Sequence, residues 1–298
     1  MTPSERLTLA WKSVDGLSVG DAFGEKFFGP APSVLERIER RELPTGRWPY
    51  TDDTEMALGI VEVLEAQGTI DQDALADVFA RRFRHNRYRG YGATAQGILE
   101  AIGDRVPWRH AAGRVFGGGG SMGNGGAMRS APIGAYFFDD EQAVIEQARR
   151  SAQVTHAHPD GQAGAIAVAL ACAFVTRNPK TKDGDAMLKW VTERVPAGPT
   201  RTGLDRAREL PLHGRLSLAI ALGTGQQVIS SDTVPFALYC AARCIDDFEQ
   251  ALWTTVTGLG DRDTTCAIVG GIVAMSSRTT IPTAWLDARE ALGRTSAW

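Results

Sequence analysis

The segment GDRDTTCAIVGGIVAM (residues 260–275) combines two features that seldom stand side by side in a soluble protein. From Cys266 onward every residue is apolar or glycine, which predicts a helix buried in the middle of a helical bundle. Oxygen-bearing side chains come first, on Asp261, Asp263 and Thr264. A buried helix that begins in this way places carboxylates deep in the molecule, where an uncompensated charge is costly.

The same helical period dominates the rest of the chain. The segment AGAIAVALACAFV (163–175) predicts a second central helix, because it too is apolar nearly all round. Gly68 is placed to end one helix and Asp71 to cap the next. The predicted helices are 7–23 (broken near Gly20), 54–68, 71–86, 93–103, 141–154, 160–177, 183–195, 233–243, 247–258, 264–276 and 283–292.

Signals for strands and linkers are weak. The best alternation of apolar and other residues is GAYFF (134–138), which is short. No linker rich in Pro, Gly or Ser divides the sequence, and no internal repeat is present. We therefore expect an all-α fold, built as a single compact domain over residues 1–298, with functional residues on loops and helix starts between buried helices.

The composition is that of an ordinary globular protein. The chain has 298 residues, 43% of them apolar, and a formal net charge of −3, which gives no reason to expect a nucleic-acid or membrane partner. The N-terminus lacks a signal-peptide pattern, and the apolar runs fall short of the roughly 18 residues of a membrane span. Three of the four cysteines lie in strongly apolar segments, and all four are interpreted as buried thiols. We expect a cytoplasmic protein.

A second acidic helix start is TDDT (51–54). Thr51 or Asp52 would serve as an N-cap, but a cap does not explain why Asp52 and Asp53 are both carboxylates. Two acidic clusters, each opening a buried helix, repel each other unless cations lie between them. Carboxylates and hydroxyls are the ligands that Mg²⁺ prefers, whereas the spacing of an EF-hand is absent. The two clusters together predict a metal site.

A glycine-rich segment, VFGGGGSMGNGGAMR (115–129), brings bare backbone close to a partner, and such N–H groups can hold phosphate. Gly118, Gly120 and Gly123 match the spacing of a dinucleotide-binding loop, but no predicted strand precedes them, so we reject that interpretation. Arg129 has two open interpretations: a contact to phosphate, or a salt-bridge partner at a helix start.

The segment THAHPDG (155–161) carries two histidines ahead of a helix. His156 and His158 could bind zinc, but no third ligand of that kind lies nearby in the sequence. We expect His156 to form a hydrogen bond or stack at a ligand loop, and Asp160 to cap the helix that follows.

These segments resemble, in order and nearly from end to end, the ADP-ribosylglycohydrolase family. The resemblance implies an all-helical fold with a central cleft that holds a binuclear Mg²⁺ centre, Mn²⁺ being possible. The matching segments are GLSVGDAFG (16–24), TDDTEMA (51–57), GSMGNGGAMRSAPIG (120–134), THAHPDGQAGAIAVA (155–169) and GDRDTTCAIVGGIVA (260–274).

The resemblance also implies roles for residues. Many members carry a glutamate seven residues after the aspartate of the first motif, where this chain has Phe28; Glu25 either replaces that glutamate or is a solvated helix residue. The candidate base is Asp53, or a metal-bound water next to it, and Asp52 and Glu25 complete the expected catalytic set. The expected metal ligands are Thr51, Asp52, Asp53, Asp261, Asp263 and Thr264. The expected substrate-binding residues are Gly119, Gly120, Ser121, Met122, Gly123, Asn124, Gly125, Met128 and His156.

The activity that the resemblance implies is Mg²⁺-dependent cleavage of the glycosidic bond in ADP-ribose conjugates, with release of ADP-ribose. The partners would be ADP-ribosylated proteins, nucleic acid entering only as an ADP-ribosylated substrate, and the enzyme would be a monomer. Two alternatives stay open from the residues: an ADP-ribose-binding module without activity, suggested by Phe28, and a metal hydrolase of another nucleotide conjugate.

Overall fold

The computed structural model describes residues 1–210 and 221–293. Within those two ranges the backbone forms helices, loops and two isolated β-bridges, and no extended strand. Short 3₁₀ turns span Phe116–Gly118 and Asn124–Gly126. The α-helices are α1 (Pro3–Glu25), α2 (Ala31–Glu39), α3 (Asp52–Gln67), α4 (Gln72–His85), α5 (Ala93–Gly103), α6 (Trp108–Gly113), α7 (Ala131–Tyr136), α8 (Glu141–Gln153), α9 (Pro159–Arg177), α10 (Gly184–Thr192), α11 (Pro199–Glu209), α12 (Ser230–Arg243), α13 (Phe248–Val256), α14 (Arg262–Val273) and α15 (Thr283–Ala288).

Helices α1 and α14 form the central pair, and glycines let their backbones touch. A Cβ atom at Gly20 would lie 2.1 Å from the carbonyl oxygen of Cys266, and one at Gly24 would lie 2.2 Å from that of Arg262. Glycines four residues apart share one helix face, so the two helices approach closely over several turns. The predicted break near Gly20 is therefore wrong: α1 continues to Glu25, and its last turn lies against the acidic start of α14.

We predict that Gly20→Ala destabilises the protein by about 3 kcal/mol, because the added methyl group overlaps a backbone carbonyl that cannot move independently of α14. Urea unfolding followed by circular dichroism measures the change. Gly97→Ala in α5 is the matched control, since a Cβ there meets nothing within 4 Å and alanine favours a helix. Equal stability of the two variants would contradict the close-packing argument.

Helix α9 is the second central helix, as predicted. It is long and apolar enough to cross a membrane by length and composition, but 78% of the apolar window is buried inside the protein. Gly134 of α7 packs onto it, where an added Cβ would lie 2.0 Å from the carbonyl oxygen of Ala169. The weak alternation of 134–138 therefore falls on a short helix and the turn after it, because contact with α9 rather than local pattern decides its conformation.

Most predicted helices are confirmed within a few residues, and the local signals at their ends hold. Gly68 ends α3 with a φ of 68°, and the Asp71 carboxylate accepts the N–H of Ala74. The four cysteines are free and buried. The pattern missed four short helices, α2, α6, α7 and α11.

The C-terminal prediction, 283–292, is too long, because α15 ends at Ala288. The chain then bonds to Trp48: the Trp48 N–H donates to Ala288 at 2.8 Å, and the Glu290 N–H donates to Trp48 at 2.8 Å. Arg89 reinforces this contact with a two-point ion pair to Glu290 at 2.7 and 2.9 Å. These bonds fix the segment that leads into Thr51.

Candidate active site

Asp21, one turn before the end of α1, anchors the start of α3. It is completely buried, and it accepts the Thr51 N–H at 3.0 Å, the Thr54 N–H at 3.1 Å and the Thr54 hydroxyl. Burial raises the pKa of Asp21 to about 6. Asp21 is a site residue that the sequence motifs did not predict; the available signal was a single aspartate inside the apolar segment 16–24.

Thr51 occupies the N-cap position of α3, but its side chain makes no capping bond to its own helix. Its Oγ1 lies 2.9 Å from Asp21 Oδ1 and 2.9 Å from Asp53 Oδ2. Thr51 therefore occupies the predicted N-cap position, but its hydroxyl contacts carboxylates and not a backbone N–H of α3. Thr51 joins the buried carboxylate of α1 to that of α3.

Asp53 is buried at 1% exposure, and within the described residues its Oδ1 atom has no hydrogen-bond partner. Burial, followed by the charges of Asp21 and Asp263, raises the pKa of Asp53 well above its usual value. Burial and then Asp21 raise the pKa of Asp52 to about 8. A buried carboxyl oxygen without a partner, among carboxyls that resist ionisation, fits a place for a cation.

The second acidic cluster opens α14 and lies near the first. The Asp261 carboxylate accepts the Asn124 side-chain amide at 2.6 Å. Burial, followed by Asp261, raises the pKa of Asp263 well above its usual value. Thr264 is buried beside them. Because Asp52, Asp261 and Asp263 all act on the pKa of Asp53, the two clusters share one region of the molecule.

Glu25 ends α1 at the edge of this region. Burial, followed by the charge of Asp21, raises the pKa of Glu25, and Asp261 adds to the effect. These interactions favour a carboxyl turned toward the cluster over a solvated one, whereas its catalytic role stays a prediction. Phe28 is 47% exposed, and the Arg262 guanidinium lies 5.0 Å from the centre of its ring.

The metal-ligating prediction fits the donors that are present. In the described ranges, no three side chains among His, Cys, Asp and Glu already surround a single point. The donors instead form two neighbouring groups of carboxylates and threonine hydroxyls, one at the start of α3 and one at the start of α14. Oxygen donors of this kind suit Mg²⁺ or Mn²⁺ rather than zinc.

The glycine-rich segment passes beside the second cluster. Asn124 is buried, and its amide donates to Asp261 and to Thr233 Oγ1, so it links the loop to a predicted metal ligand. The Ser121 hydroxyl accepts the Gly123 N–H at 3.1 Å, while Met122 is 41% exposed and Met128 is buried. The loop thus offers backbone and Met122 to a ligand, with Asn124 and Met128 supporting it.

Arg129 meets neither of its two open interpretations. It is completely buried, which excludes direct contact with a phosphate on the outer side of the loop, and no ion pair joins it to an acid among the described residues. Its guanidinium donates to the Gly125 carbonyl at 3.0 Å and the Ser151 carbonyl at 2.9 Å, and it lies over the Phe79 ring. Arg129 therefore holds the loop from behind.

The histidine segment lies against the same loop. His156 is 8% exposed, and a Cβ atom at Gly123 would lie 3.2 Å from its Nε2 atom. The predicted cap is wrong: His158 caps α9 by accepting the Asp160 N–H, and Asp160 instead accepts the Thr200 N–H at the start of α11. A carboxylate can accept an N–H at the start of α9 or of α11 equally well, so the sequence alone could not show which helix Asp160 caps.

The loop of residues 223–229, which the sequence motifs did not predict as part of the site, joins the two halves of the site. The Asp261 N–H donates to the Thr224 carbonyl at 3.1 Å, and the Asn124 N–H donates to the Val228 carbonyl at 3.2 Å. A Cβ atom at Gly225 would lie 2.7 Å from that of Asp261. The available signal in the sequence was the pair of glycines Gly223 and Gly225, and in the structure both adopt a φ of 85°.

The fold and the site together define the class of protein: an all-helical enzyme with two acidic helix starts beside a glycine-rich loop. A family model described as ADP-ribosylglycohydrolase matches residues 4–297. The chain belongs to the ADP-ribosylglycohydrolase family and is a hydrolase of glycosidic bonds.

Comparison with individual proteins also finds members of this family. ADP-ribosylhydrolase ARH3 of Homo sapiens is 31% identical over 275 residues, covering 81% of this chain and 74% of that protein. ADP-ribosyl-[dinitrogen reductase] glycohydrolase of Rhodospirillum rubrum is 27% identical over 291 residues, covering 91% and 87%. The solved structure of an ADP-ribosylglycohydrolase-related protein complex matches with a TM-score of 0.68 and 26% identity, covering 96% of this chain and 94% of the other.

Proposed function

We propose that this protein is a Mg²⁺-dependent hydrolase that releases ADP-ribose from ADP-ribosylated protein side chains. The observation that carries the proposal is the meeting of two acidic helix starts, at Asp53 and Asp263, beside a loop of bare backbone. The names of the two relatives, one an ADP-ribosylhydrolase and the other acting on ADP-ribosyl-dinitrogen reductase, support this substrate class.

The cations would be held by the two neighbouring groups of oxygen donors. When bound, they neutralise the clustered carboxylates and act as Lewis acids toward the substrate's oxygen atoms. The partnerless Oδ1 of Asp53 and the raised pKa of Asp52 and Asp53 support this assignment. The proposed ligands are Thr51, Asp52, Asp53, Asp261, Asp263 and Thr264.

Cleavage of a glycosidic bond passes through an oxocarbenium-like state, so it needs a water, a group that takes its proton and an acid for the leaving group. We assign Asp53 as the base, since Thr51 and the start of α3 fix its position and bound cations would offset the burial and charges that raise its pKa. Glu25 suits the acid role, because burial and Asp21 raise its pKa and so keep more of it protonated.

The other end of the substrate would lie along the glycine-rich loop. Several backbone N–H groups of this loop are already used, since those of Gly119, Gly120 and Asn124 donate to carbonyls and that of Gly123 donates to Ser121. The proposed contacts to a diphosphate therefore fall on the N–H groups of Ser121, Met122 and Gly125. At the entrance to this loop, Phe116 is 69% exposed and Met122 is 41% exposed. An exposed aromatic ring beside a phosphate-binding loop offers a stacking surface for the adenine base.

The experiment is a release assay run in parallel on arginine-, serine- and nucleic-acid-linked ADP-ribose and on O-acetyl-ADP-ribose. We expect free ADP-ribose from at least one of the protein linkages with Mg²⁺ or Mn²⁺, and at least a tenfold loss in EDTA that added Mg²⁺ restores. Turnover that EDTA leaves unchanged would contradict the metal assignment. Tight ADP-ribose binding without release from any conjugate would contradict the hydrolase.

A further inference from the structure

His156 has two different neighbours at its two ring nitrogens. Its Nδ1 atom lies 2.7 Å from the Thr155 hydroxyl. Its Nε2 atom faces the glycine turn, where Cβ atoms at Gly123 and Gly125 would lie 3.2 and 3.3 Å away. Within the described residues, Nε2 has no hydrogen-bond partner. Glycine at 123 and 125 therefore leaves this edge of the imidazole uncovered.

The direction of the bond at Nδ1 follows from Arg129. A guanidinium has five donors and no acceptor, so the 2.9 Å contact between Arg129 and Thr155 Oγ1 is a donation to the hydroxyl. The hydroxyl keeps one hydrogen, and Nδ1 is the acceptor next to it. The opposite direction would leave the hydrogen of a hydroxyl that is 1% exposed without a partner, which costs about 1–3 kcal/mol.

Several other contacts hold the Arg129 guanidinium in the position from which it donates to Thr155. Besides Thr155, it donates to the carbonyls of Gly125 and Ser151, and its guanidinium lies 4.6 Å from the centre of the Phe79 ring. These contacts come from the glycine loop and from helices α4 and α8, so they restrain the guanidinium from several sides. The donor direction is therefore set by packed structure rather than by a free hydroxyl rotor.

Burial, followed by the nearby charge of Arg129, lowers the pKa of His156 to about 3. The imidazole is therefore neutral across the ordinary pH range. A neutral imidazole carries one hydrogen, so a ring that accepts at Nδ1 donates from Nε2.

We infer that Arg129 and Thr155 are positioning residues that hold His156 in the tautomer with its hydrogen on Nε2, aimed across the Gly123–Gly125 turn at the substrate's diphosphate. The ligand in this inference rests on the proposed function, whereas the tautomer does not. This arrangement supplies an N–H donor of fixed direction for the diphosphate. Such a donor is useful here, because the nearby acidic side chains would repel an anion.

The test is nitrogen NMR of protein labelled with ¹⁵N-histidine, in which the His156→Gln variant identifies the signals of His156 among the five histidines. In the wild-type protein we expect Nδ1 at the shift of an unprotonated nitrogen and Nε2 at that of a protonated one. Addition of ADP-ribose should move the Nε2 signal most. A wild-type spectrum with the hydrogen on Nδ1 would overturn the inference, without need of any variant.

Thr155→Val removes the hydroxyl with little change of shape, and Thr155→Ser is the matched control that keeps it. We expect the valine variant to lose the single tautomer and to bind ADP-ribose about tenfold more weakly by calorimetry, while the serine variant keeps both properties. In the release assay, KM should rise and kcat change little. Unchanged tautomer and unchanged affinity in Thr155→Val would overturn the positioning role.

The two proposals fail in different ways. If the protein releases no ADP-ribose from any conjugate, yet ADP-ribose moves the Nε2 signal of the expected tautomer, the hydrolase proposal fails and the inference stands. If the protein is active and His156 carries its hydrogen on Nδ1, the inference fails and the hydrolase stands.

Discussion

Replacing Asp53 by asparagine is expected to lower the rate of ADP-ribose release by on the order of 10³-fold or more, because the change removes both a proposed base and a proposed metal ligand. The variant should still fold. Asparagine has nearly the same shape, and it removes a buried carboxyl whose pKa is raised well above its usual value by burial and by Asp21. Steady-state release at saturating Mg²⁺ measures the effect.

The same substitution should raise the melting temperature of the metal-free protein, since it removes repulsion from Asp52 and Asp263. Asp104→Asn is the matched control: its side chain is 74% exposed and pairs with Arg84 at the surface, so activity and stability should be unchanged. An Asp53→Asn protein that is folded and keeps full turnover would show that neither assigned role of Asp53 is correct.

The second large effect is a loss of stability of the metal-free protein between pH 6.5 and pH 8.5. The pKa of Asp52 is about 8 in the folded protein, and the pKa of Asp53 and Asp263 is also well above 3.8. In the unfolded chain these groups are already ionised throughout this window. The folded state therefore binds more protons, and its stability falls as the pH rises.

Among the other shifted groups, the four buried cysteines, whose pKa is raised by burial, add to the loss only near pH 8.5, where unfolded thiols begin to ionise. The pKa of His156, lowered by burial to about 3, opposes the effect only below its ordinary value of 6.5. Arg129, whose pKa burial lowers to about 9, also opposes the loss, but only above the window, because there the unfolded chain binds the additional proton. Melting temperatures in EDTA at several pH values measure the trend.

Bound divalent cations should reverse the trend, because they replace the protons that the carboxyls otherwise retain. At a Mg²⁺ or Mn²⁺ concentration of a hundred times Kd, we expect a stabilisation of about 2.7 kcal/mol. For a chain of this size, that corresponds to an increase in melting temperature of about 4 °C. At one fixed metal concentration, the stabilisation should be larger at pH 8.5 than at pH 6.5. The Asp53→Asn variant should show a weaker dependence on both pH and metal. Melting curves that are independent of added metal would contradict cation binding by this site.

Much of the fold follows from local pattern. Helices 93–103 and 160–177 could be placed within a residue, because apolar period and helix-end residues act within one or two turns. The two apolar helices could also be recognised as central. By contrast, the predicted break at Gly20 was wrong, since whether a glycine ends a helix or lets two helices touch depends on a partner 246 positions away, at Cys266.

The candidate site divides in the same way. Asp52, Asp53, Asp261 and Asp263 could be selected from the sequence, because adjacent carboxylates at the start of an apolar helix have no ordinary structural explanation. Asp21 could not be selected in this way, since its role depends on hydrogen bonds from Thr51 and Thr54, which lie thirty and more residues away. The loop at 223–229 was missed for the same reason.

The sequence by itself determined that the protein is all-helical, that its central helices begin with acids, and which family its motifs resemble. Only the tertiary structure decided which neighbours those acids have, that Asn124 supports Asp261, and that Arg129 is buried behind the glycine loop. The physical reason is range: helix formation and capping act between residues a few positions apart, whereas the burial of a charge and the direction of a hydrogen bond are set by groups that only folding brings together.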